Sequence, residues 1–371
     1  EFGDDRMMVG EVYQDNIISE EDVLSYYGTK EQPEFNMPFN MLLIGNLGAA
    51  DVKMDIPKLR KDIDHYDKSL KPWAQPNWVI GNHDVHRVRS RNGGNEFISR
   101  SMHVLLLTLR GTPTIYNGDE FGMLDGKVPA SKAQDPTCIK SAKAWNCRDP
   151  ERTPLQWNTD NENAGFTDAG VVPWLPVSSD YVNTNADSQI GAPKSMLSMV
   201  KTLLRLRQGS DALRAGEYTS IDDKHAGNNV FVYQRSGKDG RYVIAHNFGP
   251  HDEKFVSSSL GGLSGILRLD SRGPISGDPL QNVKPLSTIQ LQAHQSMVYQ
   301  IPPEVEPFNW LIALWVFLAV AAVSIAAYVG WRRRSEKEDR KTFNQGLDNR
   351  EASVVEFSVL QESNHYNPPM L

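Results

Sequence analysis

The chain has 371 residues, a formal net charge of −7, 39% hydrophobic residues and 23% charged residues. These values are typical of a globular protein and exclude a wholly disordered chain. The acidic balance gives no electrostatic basis for binding nucleic acid, because no basic cluster precedes residue 332. The length allows two domains, or one large barrel with an appendage.

The amino-terminal segment lacks a signal peptide and begins with Glu1 rather than Met, so we expect the chain to begin inside a larger protein. Residues 6–12 are mostly apolar and predict a short strand that contains Glu11. Glu11 is either a chemically active carboxylate or an exposed charge at a strand end. Residues 19–28 predict a loop and a short helix with Ser19 as its N-cap.

Strand and helix patterns then alternate along the chain. Apolar runs at 39–44, 78–80 and 113–116 predict strands, and residues 56–68 and 99–110 predict helices. Polar residues follow each of the later strands. This alternation indicates a parallel sheet or barrel.

The stretch at 77–84 combines a strand with three polar residues at its carboxyl end, Asn82, His83 and Asp84. In α/β barrels, this end of the strands carries the catalytic groups. A histidine can donate a hydrogen bond to a substrate hydroxyl, and an aspartate can hold negative charge near a developing cation. The alternative is that Asn82 and Asp84 only begin a turn, since both residue types favour turns.

Asp119 and Glu120 follow the strand at 113–116 in a similar position. They either support the site or are simply solvated.

Residues 125–193 form a long segment rich in Pro, Asn, Asp and Trp. Loops of this length are usually functional or disordered, and the tryptophans favour an ordered one. Its two cysteines, Cys138 and Cys147, have a spacing compatible with a small disulfide loop, and two buried free thiols are the alternative. No CxxC or His-rich pattern surrounds them, so we predict no metal site.

Residues 194–209 predict a helix that ends the first domain, residues 1–215. From 216 to 303, short alternating strands at 230–233, 242–245 and 296–299 predict a small antiparallel β-domain.

Residues 307–331 contain no charged residue and are followed by Arg332, Arg333 and Arg334. About 25 apolar residues suffice to span a bilayer, so we predict a transmembrane helix, with a buried core helix as the alternative. The arginines place residues 332–371 in the cytosol as a disordered tail, and the preceding domains outside a plasma membrane.

The chain resembles glycoside hydrolase family 13, specifically its α-glucosidase branch of maltases and oligo-1,6-glucosidases. The motifs that carry this resemblance are Glu11 after an apolar strand, GNHD at 81–84, GTPTIYNGDEFGM at 111–123, RDPERTPLQW at 148–157 and WLPV at 174–177. It covers roughly residues 5–302. It implies a (β/α)₈ barrel followed by a small antiparallel domain, with strands five to eight at Glu11, 39–44, 78–80 and 113–116.

The resemblance also implies roles for individual residues. Glu11 matches the family's general acid/base, Asp84 its transition-state stabiliser and His83 a residue that binds sugar hydroxyls. Arg87 and Arg152 match substrate-binding arginines. A retaining glycosidase needs a protonated carboxyl group and a second carboxylate as nucleophile. No cofactor is implied, and calcium is left open.

The sequence departs from the family before Glu11. The family's nucleophile is an Asp at the end of the fourth strand, and nothing in residues 1–10 matches it. We therefore expect half a barrel that is inactive alone, within a protein that is an exo-acting α-glucosidase for maltose-like or sucrose-like oligosaccharides. The alternative is a non-catalytic relative, either a heavy subunit of an amino-acid transporter or a surface receptor.

Overall fold

The computed structural model describes residues 7–12, 20–46, 54–141, 146–221, 227–275, 278, 282–303 and 310–362. Their contacts divide the chain into two compact units, Glu1–Pro303 and Glu304–Leu371. The domain boundary predicted between residues 215 and 216 falls inside the first unit and stays a prediction.

The described helices and strands of the first unit follow one another in two groups. The first group alternates between the two types: α1 (Glu20–Ser25), β1 (Phe39–Asn40), α2 (Leu42–Asn46), α3 (Ile56–Ser69), β2 (Asn77–Val79), α4 (Val88–Arg91), α5 (Glu96–Thr108) and β3 (Thr112–Thr114). Four described helices then precede the second group: α6 (Pro136–Lys140), α7 (Ala186–Gln189), α8 (Met196–Gln208) and α9 (Asp211–Arg214), with 3₁₀ turns at Asp119–Phe121, Ala130–Lys132, Pro150–Arg152 and Ser179–Val182. The remaining strands are β4 (Glu217–Ser220), β5 (Val230–Gly237), β6 (Gly240–Asn247), β7 (Glu253–Val256), β8 (Ser264–Asp270), β9 (Val283–Pro285), β10 (Thr288–Leu291) and β11 (Ser296–Ile301).

Strands β1, β2 and β3 form a parallel sheet in that order. Asn77 pairs with Phe39 on one side and with Thr112 on the other. Helices connect these strands, as parallel pairing requires. The predicted alternation of strands and helices is therefore present, and the carboxyl ends of the strands lie along one edge.

The central strand β2 is buried because helices cover it. Trp78 is 1% exposed, and its ring meets the Tyr66 ring of α3 edge-on, with centroids 5.3 Å apart. Its indole Nε1 donates a hydrogen bond to the Arg110 carbonyl at 2.6 Å. Helix α5 begins at an N-cap, Asn95, whose side chain accepts from the amides of Phe97 and Ile98. The middle of this helix is buried throughout, so the strand ends are held on a rigid support.

Two of the predicted strands are wrong or shorter than expected. Residues 7–12 do not form a strand, because the Met8 carbonyl accepts hydrogen bonds from both Asn36 and Met37, which interrupts a regular register. The strand predicted at 39–44 ends at Asn40, whose side chain accepts a 2.8 Å hydrogen bond from the Leu42 amide. This turn starts α2. The predicted N-cap, Ser19, lies outside the described residues.

The long segment at 125–193 is ordered in its described residues, although not for the reason that the sequence suggested. Trp157 and Trp174 are 50% and 63% exposed, so they do not anchor it. Asparagine side chains hold the backbone instead. Asn161 Oδ1 accepts from the Asn163 amide at 2.8 Å, and Asn163 Nδ2 donates to the Val171 carbonyl at 2.7 Å.

The second group of strands forms an antiparallel sheet in the order β4-β5-β6-β11-β8-β9, with β10 paired to β7 separately. This confirms the predicted antiparallel β-structure. Arg235 of β5 is fully buried and donates to the Thr108 carbonyl at 2.6 Å, at the end of α5. Arg207 of α8 donates to the Leu107 carbonyl at 2.9 Å. Both arginines tie the antiparallel sheet and α8 to the parallel-sheet region.

The second unit contains one described helix, α10 (Trp310–Glu362). The tail predicted to be disordered from residue 332 is helical up to Glu362, since α10 continues through the charged residues after Arg334. The transmembrane helix predicted at 307–331 is not supported, because within the described residues no helix meets the length and apolar character that crossing a membrane requires.

Candidate active site

Asp84 lies just beyond the carboxyl end of β2. Asn82 Oδ1 accepts a 2.9 Å hydrogen bond from the Asp84 amide, so the turn expected after the strand is present. The turn and a functional role are compatible, since Asp84 stays partly exposed. Asp84 is partly exposed and His83 is exposed, with His83 Nε2 located 3.6 Å from Asp84 Oδ1.

Two arginines converge on Asp84. Arg148 Nη1 lies 3.0 Å from Asp84 Oδ1, and Arg152 Nη2 lies 2.5 Å from the same oxygen. Arg152 Nε also donates to the His83 carbonyl at 2.7 Å. Charge-assisted hydrogen bonds of this kind are stronger than neutral ones. Three of the predicted site residues, His83, Asp84 and Arg152, are therefore brought together.

Arg148 is held in place by a buried carboxylate, Asp135. Its Nε and Nη2 atoms lie 2.8 and 2.7 Å from Asp135 Oδ2. Asp135 also caps α6 by accepting from the Thr137 amide at 2.8 Å. Burial alone raises the pKa of Asp135, but the Thr137 amide and Arg148 outweigh it and hold this pKa below its usual value. Arg148 thus bridges a fixed buried anion and the partly exposed Asp84.

A disulfide joins Cys138 of α6 to Cys147, the residue before Arg148, which confirms the predicted pairing. The neighbouring Asp149 is fully buried and accepts hydrogen bonds from the amides of Gln134 and Asp135 at 2.7 and 3.0 Å. The two ends of this loop are therefore fixed covalently and by hydrogen bonds. The sequence analysis predicted no role for Arg148 or Asp135, although Arg148 is the first residue of the motif that contains Arg152.

Arg87 is buried rather than exposed beside Asp84, and its predicted role in binding substrate stays a prediction. It is 1% exposed, and its Nη1 donates to the Asn117 carbonyl at 2.9 Å and to Asp119 Oδ1 at 3.1 Å. Its guanidinium lies 4.7 Å from the centre of the Tyr116 ring. The arginine therefore joins the start of α4 to the loop after β3 in the interior.

Asp119, the partner of Arg87, is buried rather than solvated. It is 1% exposed, and burial raises its pKa to about 6 against the opposing effect of Arg87. A Cβ added to Gly81 would lie 3.0 Å from Asp119 Oδ2. The glycine before the polar triplet therefore leaves room for this carboxylate.

Glu11 lies at the same edge of the sheet as Asp84. The Phe39 amide donates to the Gly10 carbonyl at 2.8 Å, and the Asn36 amide donates to the Met8 carbonyl at 3.0 Å. The residue numbers of both partners increase together from the first contact to the second. Residues 8–10 therefore run parallel to β1. Glu11 is exposed and lies one residue past Gly10, next to the carboxyl end of β1. The predicted acid/base and stabiliser thus lie at the same edge, with β1 between the segments that they follow.

A second cluster lies beside the first and contains His86, Asp125 and Glu151. His86 Nδ1 is 2.9 Å from Asp125 Oδ2 and 3.4 Å from Glu151 Oε2. Asp125 first, and then Glu151, raise the pKa of His86 to about 10, while burial raises that of Glu151. The sequence did not single out these three residues, because they are 26 or more positions apart and come from three different loops.

The family "Alpha amylase, catalytic domain" matches residues 1–216. Maltase A1 of Drosophila melanogaster is 35% identical over 259 residues, which cover 67% of this chain and 41% of that protein. Probable oligo-1,6-glucosidase 2 of Bacillus subtilis is 30% identical over 68% of this chain and 48% of its own length. The amino acid transporter heavy chain SLC3A1 of Mus musculus is 32% identical over 67% of this chain and 32% of its length. The chain spans less than half the length of these relatives.

The chain is also similar to solved structures. A trehalulose synthase MutB variant soaked with trehalulose has a TM-score of 0.67 at 26% identity, over 80% of this chain and 56% of that one. Another MutB variant, in complex with glucose, has a TM-score of 0.65 at 27% identity over the same shares. The family match covers more than half of the chain and includes all of the candidate active site. The chain therefore belongs to the alpha-amylase family, and residues 1–216 are its catalytic-domain segment.

Proposed function

We propose that the protein containing this chain is a retaining exo-α-glucosidase that releases glucose from maltose-like or sucrose-like oligosaccharides. The observation that carries the proposal is Asp84, a partly exposed carboxylate at the end of β2 that is held by Arg148 and Arg152. Maltase and oligo-1,6-glucosidase relatives support carbohydrate as the class of substrate. We also propose that β1, β2 and β3 correspond to strands six to eight of the barrel.

In the proposed mechanism, Glu11 donates a proton to the glycosidic oxygen as the bond breaks and later accepts one from water. Asp84 stabilises the positive charge that develops on the sugar ring and accepts hydrogen bonds from its hydroxyl groups. His83 donates to a hydroxyl of the same ring. The retaining mechanism also requires a carboxylate nucleophile, and no residue of this chain is assigned that role.

The arginines contribute positioning and charge balance. Arg148 and Arg152 both contact Oδ1 of Asp84, so Oδ2 is the oxygen that the substrate approaches in this proposal. A carboxylate fixed in this way does not need to reorganise as charge develops, which is the source of electrostatic catalysis.

We propose that the catalytic segment works outside the cytosol. The Cys138–Cys147 disulfide supports this location, because disulfides persist in oxidising compartments and are rare in the cytosol. Plasma-membrane attachment is a separate proposal. Its support is the uncharged sequence at 307–331 and the arginines that follow, whereas no described helix qualifies as a membrane span. Retention of the protein in carbonate-washed membranes supports attachment, and its release by carbonate contradicts it.

The experiment that tests the hydrolase proposal is glucose release from maltose and sucrose by the protein that contains this chain. We expect Glu11→Gln and Asp84→Asn each to lower kcat by about 10²–10⁴-fold, since each removes a group that acts in the transition state. Glu31→Gln and Asp160→Asn make the same chemical changes at exposed positions and should retain activity.

The second candidate function is a transporter heavy chain, favoured by the match to SLC3A1 of Mus musculus. A folded protein with no glucose release from either sugar contradicts the hydrolase proposal. Recovery of the same protein in a stoichiometric complex with a polytopic membrane protein would then support the heavy-chain function.

A further inference from the structure

The cluster of His86, Asp125 and Glu151 brings one imidazole and two carboxylates together at the junction of three loops. His86 follows β2, Asp125 follows β3, and Glu151 lies in the 3₁₀ turn Pro150–Arg152. Their ligand atoms all lie within 4.8 Å of one another. Imidazole nitrogen and carboxylate oxygen are the ligands that zinc and similar divalent transition ions use in three-ligand sites.

The contacts within the cluster are close but do not have the geometry of hydrogen bonds. His86 Nδ1 has no hydrogen-bond partner in the described structure, although Asp125 Oδ2 is only 2.9 Å away. Glu151 is 1% exposed, and its Oε2 likewise has no hydrogen-bond partner there. A buried carboxylate oxygen without a hydrogen bond is costly, so an occupant that binds this oxygen would stabilise the fold.

Two of the distances between the ligand atoms, both from His86 Nδ1, suit a metal ion. Bonds of about 2.0–2.2 Å require neighbouring ligands to be about 2.9–3.5 Å apart in octahedral or tetrahedral geometry. The separations of His86 Nδ1 from Asp125 Oδ2 and from Glu151 Oε2, 2.9 and 3.4 Å, fall in this range. The His86 side chain is 40% exposed and that of Glu151 is 1% exposed, and the His86 Nδ1 and Glu151 Oε2 atoms are both buried.

Asp125 is oriented by contacts outside the cluster. Its Oδ1 accepts from the Arg87 amide at 2.8 Å, and its own amide donates to Ser90 Oγ at 2.8 Å. The Tyr116 hydroxyl donates to the Glu151 carbonyl at 3.0 Å. Contacts of this kind fix the direction of metal ligands in known sites.

We propose that His86, Asp125 and Glu151 form a binding site for a divalent transition-metal ion of the zinc type. This differs from the absence of metal that the sequence suggested. Glu151 lies between Arg148 and Arg152, and His86 is two residues beyond Asp84. The ion therefore fastens the arginine-bearing segment to the loop that carries Asp84, which is a structural role.

The test uses the protein that contains this chain, freed of metal with a chelator and titrated with ZnCl₂ by calorimetry and thermal unfolding. We expect one zinc ion per chain and a higher Tm at saturation. Glu151→Gln keeps the size of the side chain but removes a charged ligand, and we expect it to weaken zinc binding at least about tenfold. Asp125→Asn provides a second variant if Glu151→Gln does not fold.

The matched controls are His251→Gln and Glu31→Gln, which alter exposed residues away from the cluster and should leave zinc binding unchanged. The absence of zinc binding, or binding that is equal in Glu151→Gln and the wild type, overturns the proposal. In either of these cases, His86 is a protonated side chain paired with two carboxylates. Neither result depends on glucose release, so failure of the metal site and failure of the hydrolase proposal are distinguishable.

Discussion

The guanidinium of Arg148 lies 3.0 Å from the Asp84 carboxylate on one side and 2.7 Å from the buried Asp135 on the other. A planar guanidinium can contact two carboxylates at once, whereas a lysine ammonium on a flexible stem fixes neither orientation. The position of the candidate catalytic carboxylate therefore depends on a residue that is distant in sequence.

Replacing Arg148 tests this dependence. We expect Arg148→Lys to lower kcat/KM for maltose by about tenfold or more, because misplacing a catalytic group is costly even when the fold is intact. Steady-state kinetics with circular dichroism of the same sample provide the measurement. Arg205→Lys, on the exposed face of α8, is the control and should have the wild-type rate. Equal activity of both variants contradicts a positioning role.

The Cys138–Cys147 disulfide closes a short loop with a sequence separation of 9. We expect the double variant Cys138→Ser/Cys147→Ser to lose about 2–3 kcal/mol of unfolding free energy, since the unfolded chain regains the entropy of an open loop. Urea unfolding of the wild type and the variant, with and without reductant, measures this loss. Reductant should destabilise the wild type and leave the double variant unchanged, and an effect on both contradicts the assignment to this disulfide.

Because Arg87 and Asp119 form a buried pair, we predict that replacing Arg87 lowers the stability of the protein rather than its affinity for substrate. We expect Arg87→Met to destabilise the protein by about 3–5 kcal/mol, because Asp119 would remain buried without its partner. The double variant Arg87→Met/Asp119→Leu should recover part of that loss. Chemical denaturation of the three proteins gives the comparison. A raised KM with unchanged stability would instead restore the substrate-binding role first assigned to Arg87.

Two buried histidines predict acid sensitivity. Burial lowers the pKa of His103 to about 4 and that of His246 to about 3, and both are 0% exposed. Between these values and the unfolded pKa of about 6.5, the unfolded chain binds more protons, so stability is full above pH 6.5 and falls as the pH decreases. Each histidine should lower the free energy of unfolding by about 2 kcal/mol when the pH falls from 6.5 to 5.

Urea unfolding at pH 7.5, 6 and 5 measures this dependence. His103→Gln should show a smaller loss of stability over that range than the wild type, even if it is less stable at pH 7.5. His251→Gln changes an exposed histidine and should follow the wild-type dependence. A pH dependence of His103→Gln that is identical to that of the wild type contradicts the role of burial.

Local sequence patterns determined the elements whose signal is short-range. The amphipathic spacing predicted α3 and α8, the apolar run at 78–80 predicted β2, and the alternation after residue 216 predicted the antiparallel strands. The motif at 81–84 also located Asp84 at a strand end, because strand polarity and turn preference are both encoded within a few residues.

Only the tertiary structure decided which side chains meet. Asn40 bonds the Leu42 amide and ends β1 early, and Arg87 is directed into the interior by Asp119, so neither result follows from residue type alone. Arg148 and Asp135 contact each other across a disulfide loop, and His86, Asp125 and Glu151 converge from three loops. The sequence thus determined the family and the elements whose signal is short-range. The fold decided the partners, because contacts between distant segments depend on how the loops pack and not on local spacing.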